Sequence, residues 1–162
     1  MRKQQSAARP PAPGEGKRGE DGHLGYLLRQ AAAMHRLKME RALSDLGVTP
    51  PQFSVLTMLA AYPGQSNADI ARLAMLTPPT VTVIVGNLES MGAVLRRPHA
   101  QHGRIQHIDL TEQGMALLAS CRARVQQLEA ALAAGLSESE TTLLRRWLAG
   151  VAREGEAEGT PP

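Results

Sequence analysis

From residue 24 to residue 151 the apolar positions follow a helical period, broken once by a strand period. Leu24, Leu27, Leu28, Ala31, Met34 and Leu37 recur at helical spacing, and the pattern runs on to Leu46, where Gly47 offers a stop. Thr49 stands where an N-cap belongs, with Pro50 at the first helical position. Phe53, Val55, Leu56 and Leu59 carry the helix that follows, ending near Tyr62-Pro63-Gly64. A third helix is predicted over 66–76, opened by Ser66 or Asn67, with Ile70, Leu73 and Ala74 inward. Its Asp69 falls in the first turn, where the helix dipole favours a carboxylate. Thr77 caps a fourth helix, with Pro78 and Pro79 in its first turn, a buried stripe of Val81, Ile84, Val85 and Leu88, and an end at Met91-Gly92.

The period then changes. Ala93 to Arg97 and Arg104 to Leu110 read as two short strands around a turn from Pro98 to Gly103, the second alternating as a half-buried strand does. Thr111-Glu112-Gln113-Gly114 opens another helix, carried to about Ala134 by Met115, Leu118, Val125, Leu128 and Leu132. Ser137 and Glu140 form a capping box for the last one, whose apolar face is Leu143, Leu144, Trp147, Leu148 and Val151. Residues 1–21 are rich in Pro, Gly and basic side chains and read as a disordered arm; 154–162 read as a disordered tail. No repeat and no dividing linker is visible between them.

Composition agrees with a mostly helical chain. Leu, Ala, Val and Met dominate the apolar set, and only Tyr26, Phe53, Tyr62 and Trp147 are aromatic. A formal net charge of +3 is compatible with a nucleic-acid partner without requiring one. The single cysteine, Cys121, excludes an intrachain disulfide and suits a reducing cytoplasm, the expected location. No apolar run is long enough for a membrane span, and the charged N-terminus has no apolar stretch after it to make a signal peptide.

A short helix, a turn, a second helix and a hairpin make a winged helix-turn-helix, expected over 49–111. Such a motif sets the start of its second helix in the major groove of duplex DNA. Thr77, Thr80 and Thr82 lie there; their hydroxyls suit base edges or phosphates and their methyls suit thymine. Arg96, Arg97 and Arg104 flank the hairpin turn, within reach of the backbone or a minor groove.

These residues resemble a family. Leu76 to Thr82, Leu88 to Gly92, Val94 to Pro98, Gly103-Arg104 and Leu110 to Gly114 look like a MarR-type regulator, as does the lead-in from Gly47 to Phe53 with Leu56 and Leu59. The resemblance spans roughly Leu24 to Val151. It implies a mainly α protein with a small β-hairpin wing and N- and C-terminal dimerisation helices, here 22–48 and 112–153. It further implies a bacterial homodimeric transcription regulator, usually a repressor, that reads a palindrome and is released by a small, often phenolic, ligand or by an oxidant. The departures are specific. Pro78, Val83 and Asn87 stand where the family often has basic residues, so the recognition helix from Thr77 to Ser90 has no Lys or Arg. The family's wing motif Asp-x-Arg becomes His102-Gly103-Arg104. Affinity is therefore expected to rest on the wing arginines and selectivity on the threonines.

The candidate DNA-binding set is Ser66, Thr77, Pro78, Thr80, Thr82, Asn87, Arg96, Arg97, His102 and Arg104; the candidate effector set is Tyr26, Met34 and His35. Each has a plainer reading: arginines as solvated charge, Thr77 as a cap alone, His35 as a surface or satisfied core histidine. His99, His102 and His107 lack a cysteine or carboxylate cluster, which argues against zinc. Cys121 beside Arg122 reads as an inert small residue before a redox sensor, and Trp147 as dimer core. Arg2, Lys3, Arg9, Lys17 and Arg18 form a basic arm that tracks DNA or is merely solvated. No phosphate-binding glycine loop, zinc motif or paired carboxylates suggest an enzyme, and no cofactor or metal is expected. The competing function is a winged-helix protein-interaction module that leaves DNA alone.

Overall fold

The computed structural model describes residues 9–98 and 106–158, with side chains to 153. Among the described residues, six α-helices and one hairpin follow in chain order: α1 Leu24–Leu43, α2 Pro50–Ala61, α3 Asn67–Leu73, α4 Pro78–Ser90, β1 Val94–Pro98, β2 Gln106–Leu110, α5 Glu112–Ala133 and α6 Glu138–Glu158. The strands pair antiparallel, Val94 opposite Leu110 and Arg97 opposite His107. One core, built from Met39, Leu43, Val55, Leu56, Leu59, Ile70, Val81, Val85, Leu88, Ile108 and Leu118 among others, joins α1, α2, the α3–α4 pair, the hairpin and α5.

The caps account for most element boundaries. Thr49 closes a full capping box on α2, its backbone N–H donating to Gln52 Oε1 at 2.8 Å while its hydroxyl accepts from Gln52 N–H. The Oε1 of Gln52, a buried polar side chain, is satisfied by that reciprocity. Ser66 and Asp69 repeat the device on α3, and the Ser66 hydroxyl beside the Asp69 carboxylate holds its pKa below the ordinary value. Thr77 and Thr111 cap α4 and α5 through the N–H groups of Thr80 and Gly114.

Several boundaries differ from the sequence expectation. α1 ends at Leu43, and residues 44–46 tighten into a 3-10 turn before Gly47 takes a left-handed φ of 65°. α3 stops at Leu73 rather than 76, because Met75 adopts a left-handed φ of 52° that no helix continues through. Ala71 is buried where Leu73 and Ala74 are only half-buried. On α5 the inward positions are Leu118, Cys121 and Val125, while Met115 and Leu132 are exposed. The expected disordered arm is partly built. Gln30 Nε2 donates to the Arg18 carbonyl at 3.1 Å, and Arg18 Nη1 donates to the Pro11 carbonyl at 2.8 Å, so polar bonds to α1 order a segment that has little apolar surface. Arg2 and Lys3 lie outside the described residues. At the other end the helical backbone passes residue 154 and continues to Glu158, through a stretch in which Glu and Ala favour helix.

Met75 is the one described non-glycine with a left-handed backbone, and its side chain is 74% exposed, so no packing repays the strain. Met75→Gly is expected to stabilise the fold by about 0.5–1 kcal/mol, the αL penalty less glycine's greater freedom when unfolded. Urea unfolding would read it as a higher midpoint at constant slope; an unchanged or lower midpoint counts against it.

Candidate DNA-binding interface

α3 and α4 meet at 108°, within the range of a helix-turn-helix. The apolar stripe Val81, Ile84, Val85 and Leu88 fixes the rotation of α4, which leaves Thr77, Pro78, Thr80, Thr82, Val83 and Asn87 exposed. The threonines are not loose. Thr77 and Thr80 share a hydrogen bond between hydroxyls at 2.7 Å; Thr82 donates to the Pro78 carbonyl at 3.0 Å and accepts from Asn67 Nδ2 at 3.3 Å. The exposed start of α4 is thus neutral and pre-ordered, and threonine methyls and Val83 supply its apolar content. Ser66 is a weaker candidate in this geometry, because its hydroxyl is bound to Asp69 at 2.5 Å. Asn67 and Val83 were missed by sequence reading. Helical phase alone would have found Val83, between Thr80 and Asn87.

The hairpin has two unlike faces. Val94 and Ile108 are buried, and Arg96 shares their side; Leu95, Arg97, His107 and Asp109 alternate to the other. Arg96 Nε donates to Glu89 Oε2 of α4 at 3.0 Å. Arg97 donates to Asp109 Oδ2 through Nε at 2.8 Å and also through Nη2. β2 is tied to the α2–α3 loop as well: Ile108 N–H donates to the Gln65 carbonyl at 2.9 Å, and His107 Nδ1 meets the Gly64 carbonyl. At the root of the hairpin Thr111 Oγ1 donates to the Gly92 carbonyl at 2.6 Å. His99, His102 and Arg104 lie outside the described residues.

The effector candidates separate. Met34 and His35 line a cavity of about 200 Å³ between α1 and α5, with Ala31, Lys38, Leu128, Ala131 and Leu132. His35 Nδ1 is buried there without a hydrogen-bond partner. Tyr26, two turns earlier on α1, belongs to a different recess with Lys17, Arg18 and His23; its hydroxyl donates to Gln30 at 3.3 Å and Arg29 stacks 5.5 Å from its ring centre. A larger recess of about 470 Å³, lined by Arg36, Glu40, Ser44, Val48 and Pro50 among others, went unnoticed in the sequence because it forms where α1 and α2 meet. Cys121 is fully buried. Burial first, and the Asp45 carboxylate second, push its thiol pKa up, which disfavours the reactive thiolate.

A helix-turn-helix with its hairpin wing, set between two long terminal helices, defines the class: a winged-helix DNA-binding transcriptional regulator. The MarR family model matches residues 48–106. The chain is 37% identical over 129 residues to the HTH-type transcriptional repressor Rv2887 of Mycobacterium tuberculosis, covering 80% of this chain and 93% of that protein. It resembles the transcriptional repressor CouR, solved bound to a 23-mer DNA duplex, at 29% identity and a TM-score of 0.75, covering 80% of this chain and 92% of that one. It also resembles Rv2887 solved with salicylic acid, at 36% identity and a TM-score of 0.64, covering 82% and 98%. The chain belongs to the MarR family. The relatives it matches include HTH-type transcriptional repressors, and among the described residues no single helix is long and apolar enough to cross a membrane.

Proposed function

We propose that the chain is a homodimeric repressor that reads a palindromic duplex with α4 and the wing and lets go when a small aromatic acid binds. The observation that carries this reading is the exposed, neutral start of α4, held at 108° to α3 with a basic hairpin alongside. Thr77, Pro78, Thr80, Thr82 and Asn87 would meet the bases and nearby phosphates, and Arg97 and Arg104 the backbone. CouR bound to duplex DNA supports this use of the fold. Dimerisation falls to 22–48 and 112–153: Leu24 and Leu28 on α1 and Leu143, Leu144, Trp147, Leu148 and Val151 on α6 are exposed, more apolar surface than a monomer normally leaves wet. The effector site is the cavity at Met34 and His35, where an unpartnered ring nitrogen faces a phenolic or carboxylic group; Rv2887 with salicylic acid supports the ligand class. Such a protein works in the cytoplasm, with the DNA it controls.

The lack of any cation on α4 favours one competing reading, a winged-helix module that binds protein instead. Selection from a random duplex pool with the full-length chain separates the two. Enrichment of a palindrome whose binding weakens steeply with salt is the expected result. A pool that stays random at low salt sinks the DNA reading, and salicylate that leaves binding unchanged at millimolar concentration sinks the assigned effector class.

A further inference from the structure

The two adjacent wing arginines are held by carboxylates from different elements, in different surroundings. Arg96 lies on the inner side of the hairpin with Val94 and Ile108; its side chain is 26% exposed and its partner Glu89 sits on α4. Arg97 is 65% exposed, while its partner Asp109 is only 15% exposed. The partly covered carboxylate is anchored in the strand, and the two N–H bonds it accepts restrict the swing of the more exposed guanidinium. Two of the five guanidinium N–H groups point at Asp109, which leaves three on its outer edges for another acceptor.

We propose that Asp109 is a positioning residue for DNA binding: it fixes the Arg97 guanidinium on the outer side of the wing for a phosphate, while Arg96 makes no DNA contact and braces β1 against α4 through Glu89. The inference rests on the DNA-binding reading above. Arginine is a long, mobile side chain, and one already oriented by a fork-shaped bond loses less freedom when it meets a second anion.

Asp109 carries negative charge close to where a polyanion would lie, so neutralising it should tighten binding if charge alone matters. If Asp109 positions Arg97, Asp109→Asn weakens binding instead, by about tenfold. Fluorescence anisotropy on the duplex selected by the wild-type chain, over a salt series, reads this. Arg97→Ala should lower the slope of log affinity against log salt by about 0.9, the share of one phosphate contact, whereas Arg96→Ala should leave the slope unchanged. Asp109→Asn placed on Arg97→Ala should cost nothing more. Binding as tight as wild type for Asp109→Asn overturns the proposal. So does a penalty that persists without Arg97, or an Arg96→Ala slope lowered by a full contact. Should Asp109→Asn melt below the assay temperature, Arg97→Lys replaces it: the charge stays and the fork is lost, so wild-type affinity there overturns the proposal too. A selection that enriches no duplex defeats the DNA reading itself and is thereby told apart.

Discussion

Leu144→Glu combined with Trp147→Glu is expected to give a chain that folds its reading module, runs as a monomer and binds its selected duplex about a hundredfold or more weakly. The two side chains are 43% and 41% exposed, and Leu143, Leu148 and Val151 beside them are 54%, 46% and 41% exposed. No described residue of α6 is buried, although its apolar positions recur on one side of the helix as they would for packing. Burying a side chain of this kind is worth roughly 1.5–3 kcal/mol, so the stripe as a whole is a strong reason to associate. In a two-fold dimer the same patch meets itself, and each added carboxylate counts twice. The loss on DNA is larger than any contact removed, since the second half-site is then no longer engaged from an effective concentration set by the first. Light scattering after size exclusion, together with anisotropy, checks both halves. A variant that stays dimeric at micromolar concentration refutes the assignment of α6, and a monomer with full affinity refutes the two-site reading.

The second large effect comes from one methyl group. Gly114→Ala is expected to destabilise the fold by about 3 kcal/mol, the upper end of what overpacking costs. A Cβ there would lie 1.9 Å from the Ala93 carbonyl oxygen and 2.8 Å from its carbon. Those atoms are backbone, and that oxygen already accepts the Thr111 N–H at 3.1 Å, so no flexible side chain can give way. Gly114 N–H in turn donates to Thr111 Oγ1 at 3.0 Å, which fixes the first turn of α5 from the other side. For a chain of this size the melting temperature should fall by about 10 °C. A fall within the error of the melt would mean that α5 can tilt away from the hairpin root freely.

Much of this was legible in the sequence because local chemistry decides it. Thr49, Ser66, Thr77, Thr111 and Ser137 are caps that declare themselves by spacing, and the stripe Val81, Ile84, Val85 and Leu88 oriented α4 without reference to anything distant. What failed needed a partner. α5 is apolar around much of its girth: Leu118 and Val125 lie inward as expected, but only packing on α1 and α2 chooses Cys121 over Met115 and Leu132. Arg96 and Arg97 were identical as charges in the sequence; strand alternation and the distant acids Glu89 and Asp109 give them different surroundings. Arg124 finds Asp45 across 79 residues at 2.6 Å, a pairing no spacing rule anticipates. Tyr26 shares a helix with Met34 and His35, yet eight residues of helix are about 12 Å, enough to put it in another recess.

The seat of Gly114 on Ala93 also has a mechanical meaning. α5 is one unbroken rod: its first turn rests on the root of β1, and Leu128, Ala131 and Leu132 near its far end wall the cavity that holds His35. Some 25 Å of helix separate the two places, yet no hinge residue and no pliable side chain lies between backbone and backbone at the near end. A guest that moved the far end would meet, at the near end, a backbone seat with no flexible side chain to absorb the shift, directly beneath the wing.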